Sequence, residues 1–497
     1  MAQRPMILKY SRRARASLLC VLAALGACSV GPDFKRPEPP AADRYTSDTP
    51  SVETGTAATQ HLVLGKEIEG DWWSLFGSEM IDRVVQQALE HNRTLEAAAQ
   101  TLAESHELAR AQAGLRYPQL GLTAGVGRQQ YGAEFFGGDF SFPPFTYFAA
   151  GPTVNYTLDY TGGIGRSIEQ RQAQAEASHQ QLDAAFLSVS GQAVMQAITI
   201  ASLRAQIATV ETILDQDRDN LRLVRSAFEA GSVARIDVVS AESQIASDSA
   251  LLPPLHQELA KAHHALSLVL GRTPEKELPA DLDLAQIVLP LEIPVSLPSE
   301  LAHRRPDILA AEARLHAATS AVGIAESNFY PKIQLTGTVG PQAVTSGGLL
   351  DRSSVAWSLI SGLTMPLFDG GTLHAQKRAA VDAMRASAAQ YEQTVLESFA
   401  QVADLLEALD HDAEQLDAQV QAQQAAQSSL DLARASYREG NAGVLLVLDA
   451  ERSYQQARLG YVRAMAQRYI DTVQLFLALG GRSPGAPVAA MSNQPGA

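Results

Sequence analysis

From Thr372 to Glu439 the chain contains neither glycine nor proline, and from Arg166 to Ala230 only Gly191 interrupts a run of similar length. Strands rarely exceed about 10 residues, so unbroken stretches of this kind predict two very long α-helices. At 1.5 Å per residue each would reach about 100 Å, more than a compact domain can hold. Tyr391, Val395, Phe399, Val402, Leu406 and Leu409 recur at helical spacing and form one apolar stripe, the pattern of a helix packed along its length. Composition agrees. The 497 residues are 46% hydrophobic but only 6% aromatic, and much of the apolar content is alanine. Alanine favours helix and adds little core volume, which suits thin helices packed side by side.

The chain is written twice. Tyr117-Pro118-Gln119-Leu120-Gly121-Leu122-Thr123 recurs as Tyr330-Pro331-Lys332-Ile333-Gln334-Leu335-Thr336, and Phe228-Glu229-Ala230-Gly231 as Tyr437-Arg438-Glu439-Gly440. Ala241-Glu242 likewise recurs as Ala450-Glu451. Matching order at nearly constant offset indicates duplication. Each long helix ends at a turn glycine, Gly231 or Gly440, the glycine stop signal. A shorter helix follows each turn, the first broken by Pro253-Pro254. Another helix precedes each Tyr-Pro, over 80–116 and 299–329.

Between Tyr-Pro and the long helix each half changes to a period of two. Val355, Trp357, Leu359, Ser361 and Leu363 alternate with Ala356, Ser358, Ile360, Gly362 and Thr364. The segments near 119–131, 146–160, 333–340 and 355–368 therefore predict two hairpins whose strands are long enough to cross a bilayer when tilted. Four strands cannot close a barrel, and lipid does not tolerate open edges. Several copies must share one barrel; three would supply twelve strands.

The N-terminus carries Arg4, Lys9, Arg12, Arg13 and Arg15, then an apolar run to Ala27, a secretory signal too short to span a membrane. It ends Leu25-Gly26-Ala27-Cys28, which resembles a bacterial lipobox, so Cys28 is expected to become residue one and to carry N-acyl and S-diacylglycerol lipid. Cleavage there removes five basic residues and changes the net charge from −15 to −20. That balance argues against nucleic acid as a partner. No later stretch reads as a transmembrane helix, and with only two cysteines a disulfide scaffold is excluded.

The pattern resembles the TolC-like outer-membrane efflux factors, in the nodulation-type (NodT) lipoprotein branch. The residues that carry the likeness include Cys28-Ser29-Val30-Gly31-Pro32-Asp33-Phe34, Asp71-Trp72-Trp73 and Leu301-Ala302-His303-Arg304-Arg305-Pro306-Asp307. Phe329-Tyr330-Pro331, Pro366-Leu367-Phe368-Asp369-Gly370-Gly371 and Ala478-Leu479-Gly480-Gly481 extend it over nearly the whole mature chain. Leu158-Asp159-Tyr160-Thr161-Gly162-Gly163 departs from the usual Leu-Asp-Leu-Phe-Gly-Arg. The resemblance implies an α+β membrane protein, a homotrimer with a twelve-stranded transmembrane β-barrel on a periplasmic twelve-helix tunnel. It implies, as partners, a periplasmic adaptor, an inner-membrane RND-type transporter and outer-membrane lipid. The expected organisation is signal peptide 1–27, lipid-anchored tether 28–70, first repeat 71–280, second repeat 281–481 and tail 482–497.

By position, the resemblance makes Leu445, Asp449 and Arg452 the periplasmic aperture, and Asp237 and Tyr437 members of a tip tether. The arginine that completes that tether in some relatives is Ala442 here, so an inter-subunit pair using Arg452 is the expected replacement. Three-fold repetition would make Asp449 an acidic, cation-favouring ring; the alternative for each charge is a solvated helix face. No catalytic residue, metal site or small-molecule cofactor is expected: the histidines are scattered, and Gly162-Gly163-Ile164-Gly165 lacks the Lys-Ser/Thr of a phosphate loop. The expected function is a passive exit duct of a tripartite efflux pump. The alternatives are the outer-membrane component of a type I protein secretion system, or a non-conducting structural or adhesive surface lipoprotein.

Overall fold

The computed structural model describes residues 29–38, 44–46, 60–65, 68, 70–132, 143–276 and 283–480. Cys28, the signal segment 1–27 and the tail 482–497 lie outside the described residues. The elements run β1 (His61–Leu64), a 3-10 turn (Trp72–Phe76), α1 (Glu79–His91), α2 (Arg93–Gly114), β2 (Gln119–Gln129), β3 (Phe145–Leu158), α3 (Gly163–Glu229), α4 (Arg235–Ser249) and α5 (Leu252–Val269). The second half continues with β4 (Glu292–Val295), α6 (Pro298–Leu301), α7 (Pro306–Ser327), β5 (Lys332–Ala343), β6 (Val355–Thr364), α8 (Thr372–Arg438) and α9 (Val444–Ala478).

The long helices are continuous over 67 residues each. The stripe on α8 is buried at Tyr391, Val395, Val402, Leu406 and Leu409, with Phe399 partly so. Two expected helices are divided. The 80–116 helix breaks at Asn92, whose backbone is extended and whose side chain does the work of the missing turn. Its Oδ1 accepts from the amides of Thr94 and Leu95, and its Nδ2 donates to the Val269 carbonyl at 2.8 Å. The 299–329 helix begins anew at Pro306, because proline drives the preceding residue, Arg305, out of helical backbone. The first post-turn helix breaks between α4 and α5, just ahead of Pro253-Pro254.

The residues fall into two compact units. One gathers the described residues up to Pro37 with Leu102–Ala177 and Ala311–Gln390; the other takes Glu38–Thr101, Ser178–Ala310 and the chain from Tyr391. The long helices contribute to both.

The first unit holds an antiparallel sheet in the order β2-β3-β5-β6, so the two hairpins of the duplication lie side by side and β2 and β6 are its edges. Register sorts the side chains by polarity. Leu120, Leu122 and Val126 of β2 pair with Val154, Pro152 and Phe148 of β3. On β5 and β6 the same face carries Ile333, Leu335, Val339, Trp357, Leu359 and Leu363. The opposite face carries Gln119, Thr123, Thr153, Asn155, Gln334, Thr336, Thr338 and Ser358. There, side-chain hydrogen bonds tie every neighbouring pair of strands: Thr123–Thr153 at 2.8 Å, Thr336–Asn155 at 3.0 Å and Thr338–Ser358 at 2.7 Å. The apolar face is open; Leu122 is 82% and Trp357 78% exposed. Midway along the β3–β5 seam the backbones come so close that a Cβ on Gly151 or Gly340 would strike the opposing carbonyl, of Val339 or Ala150.

The same unit docks the chain just after Cys28. Arg166, nearly buried, donates to the Val30 and Gly31 carbonyls, to Asp33 at 2.6 Å and to Glu169 at 2.9 Å. Phe34 stacks on His316 with ring centroids 4.4 Å apart, and Arg36 meets Glu312 at 2.7 Å.

The second unit holds the main core. Trp72, Phe76, Tyr469 and Phe476 pack ring against ring beside Ile81, Val194, Ile198, Leu266 and Val473. A parallel pair, β1 with β4, borders it; β1 lies in the segment expected as tether. Among the described residues only α3 is long and apolar enough to cross a membrane, and 61% of its most apolar window is buried within the protein.

Candidate functional site

Both helix hairpins turn in the same way. Gly231 and Gly440 each have φ +74°, a left-handed conformation that side chains resist. Each turn closes with the same pair of bonds: Gly231 N to Phe228 O and Ser232 N to Ala227 O, against Gly440 N to Tyr437 O and Asn441 N to Ser436 O. These satisfy the last carbonyls of α3 and α8 and reverse the chain. Below the turns, Val224 and Ala241 of the first hairpin pack with Val444 and Leu448 of the second. Leu430 and Ala433 pack with Val447 and Ala450 within the second.

The residues singled out by position divide into three groups. Leu445 is 54% exposed, one residue from buried Val444, so an apolar side chain stands in water beside the turn. Asp449 and Arg452 are also exposed and form an ion pair three residues apart on α9. Each chain thus presents a paired charge, and Arg452 is engaged within its own helix. Asp237 accepts a hydrogen bond from the amide of its own helix cap, Ala234, at 2.9 Å. Tyr437 packs its ring against the two small tip clusters. No hydrogen bond joins Asp237 to Tyr437 among the described residues.

Sequence reasoning missed the charges buried beneath the tip. Arg434 of α8 donates to both oxygens of Glu451 on α9 at 3.0 Å, and Glu451 is 1% exposed. Arg225 and Glu242 make the equivalent bond across the first hairpin at 2.7 Å, but in solvent. Both pairs stand 17 residues apart in sequence, and the two are related by the same offset as the turn glycines. The repeated Ala-Glu dipeptide was therefore a visible trace of a duplicated ion pair. Asn220 of α3 also donates to Glu451, at 3.4 Å. Next to it Asp217 is buried, and burial, followed by the neighbouring Asp248, pushes its carboxyl up to about 7. Among the described residues no group of three or more His, Cys, Asp or Glu is arranged to hold a metal ion.

The sequence profile of the outer membrane efflux proteins matches residues 84–272 and 297–481, once in each half of the duplication. The chain belongs to the outer membrane efflux protein family. Like its relatives in that family, it is an outer-membrane protein of efflux. Outer membrane protein OprJ of Pseudomonas aeruginosa is 30% identical over 94% of this chain and 95% of its own. The probable outer membrane lipoprotein SilC of Salmonella typhimurium is 26% identical over 94% and 98%. The solved outer-membrane channel OprN superposes with a TM-score of 0.81 at 28% identity, covering 92% of this chain and all of OprN. The likeness to TolC-type channels thus holds in sequence and in fold.

Proposed function

We propose that three copies of this chain assemble into a passive exit duct that carries small toxic compounds from a periplasmic adaptor and an inner-membrane RND-type transporter to the exterior. One observation carries the reading. The four-stranded sheet has one apolar and one polar face and, among the described residues, two unpaired edges, β2 and β6. An apolar face belongs against lipid and a polar face against water, but open edges are not tolerated in hydrocarbon. Edge-to-edge joining of three sheets gives a twelve-stranded wall with the apolar face outward. The cation efflux protein CusC of Escherichia coli and the toluene efflux pump protein TtgI of Pseudomonas putida, both relatives over 93% of this chain, are consistent with a duct whose cargo is chosen by its partners. Cys28 would carry the lipid, next to the docked stretch beginning at Ser29.

In this reading the helix hairpin tips form the periplasmic aperture, with Leu445 as its apolar constriction and the Asp449–Arg452 pair as its charged ring. Planar-bilayer recording of purified protein tests both parts. Native protein should form channels, and the double variant Leu445→Ala with Asp449→Asn should raise single-channel conductance about twofold or more. Protein that inserts without conducting would refute the duct; channels unchanged in the double variant would refute the aperture.

A further inference from the structure

Beneath the tip the two hairpins meet through carboxyl groups. Glu451 of α9, held by Arg434 of α8 and by Asn220 of α3, is buried on the side that faces the first hairpin. From that hairpin come Asp217 of α3, 2% exposed, and Asp248 of α4, 9% exposed. Among the described residues neither oxygen of Asp217 lies in good hydrogen-bond geometry to a donor, while Asp248 accepts from Gln244 on its own helix, at 2.8 Å. Gln455 of α9 faces Asp217, its Nε2 buried beside the carboxyl. Arg434 is committed to Glu451, and Arg225 and Glu242 pair with each other in solvent. Among the described residues three buried carboxyls thus face one guanidinium. Burial and like charge both disfavour full ionisation of such a group, and a proton held between two of the acids relieves it.

We propose that Asp217 and Asp248 hold a shared proton that latches the first hairpin against Glu451 of the second, and that its loss loosens the tip. The latch would supply the closing contact that the tether, incomplete at Ala442, does not. It rests on the aperture reading in taking the tips as the point of closure. With the proton in place, Asp217 and Asp248 bond to each other and Glu451 keeps its single counter-charge. Without it, two neighbouring anions face a third across the hairpin seam. Because burial raises the Asp217 carboxyl to about 7, the latch is closed in acid and weakens as pH rises from about 4 to about 7.

The experiment is basal conductance of the purified native channel in planar bilayers between about pH 5 and about pH 8, beside Asp217→Asn and Asp248→Asn. The amides keep shape and remove the ionisation. Native conductance is expected to rise about fivefold or more with pH, and in each variant to change less than about twofold. A native channel insensitive to pH, or variants that follow the native curve, would overturn the latch. Hydrogen exchange of segment 441–456, corrected for intrinsic rates, reads the same release without conduction. If no channel forms, the duct reading fails, yet pH-dependent loosening present in native protein and absent in both variants still supports the latch. Equal protection in all three overturns it.

Discussion

Asp412 of α8 and Asp471 of α9 face each other inside the second hairpin, both buried, and Asp412 Oδ2 has no donor. Burial first, and then Asp471, raise the Asp412 carboxyl to about 7, against the opposing pull of Arg468 and His411. A carboxyl whose folded value lies above its unfolded 3.8 binds its proton more tightly when folded. Its contribution is therefore greatest in acid, declines between about pH 4 and about pH 7, and is constant above. Asp412→Asn should match native protein in melting near about pH 4 and exceed it by about 2 kcal/mol near about pH 8. Equal melting at both values would show that the pair does not titrate in this range. Nothing in the sequence marks these acids. Asp412 stands in a polar run of α8, and only the helix that returns beside it takes it out of water.

At the scale of elements, the strands and long helices were legible because their signals are local: a period of two, and the absence of glycine and proline. The stop glycines worked for the same reason, since a left-handed backbone at Gly231 or Gly440 needs no distant partner. The break at Asn92 was not legible, because what replaces the helical bond there is the Val269 carbonyl, far along the chain. The pair β1–β4 escaped in the same way, being two four-residue strands that define each other. In the candidate site, Leu445 and Asp449 lie exposed on the outside of α9, whereas Asp217 and Glu451 acquire their character only from the helices packed over them. The two faces of the sheet supply a contrast between adjacent positions. Leu122→Arg places a charge on the apolar face and should cost about 2–4 kcal/mol near the bilayer centre. Thr123→Arg, its neighbour on the polar face, should leave assembly intact. The yield of membrane-inserted, heat-modifiable oligomer compares the two; equal loss in both would mean that the faces are misassigned.

For the whole molecule, duplication has produced two hairpins that lie side by side in one sheet but do not close it. In the proposed assembly the partners of β2 and β6 both come from other copies of the chain. A cysteine at Leu120, scanned against cysteines along 355–364, should crosslink between chains and give trimers on denaturing gels. Crosslinks confined within one chain would show that the sheet closes on itself. The two copies of the duplicated pair differ in surroundings: Arg225–Glu242 lies in solvent, whereas Glu451 of Arg434–Glu451 is buried in the packing between hairpins.

The unpaired edges also have a genetic consequence. In the proposed trimer a wall finished only by other copies has no spare part, so one defective subunit would spoil the two sound ones beside it. An allele encoding a chain that still pairs through β2 but carries a faulty β6 would behave dominantly, removing more working channels than its share of the chains made.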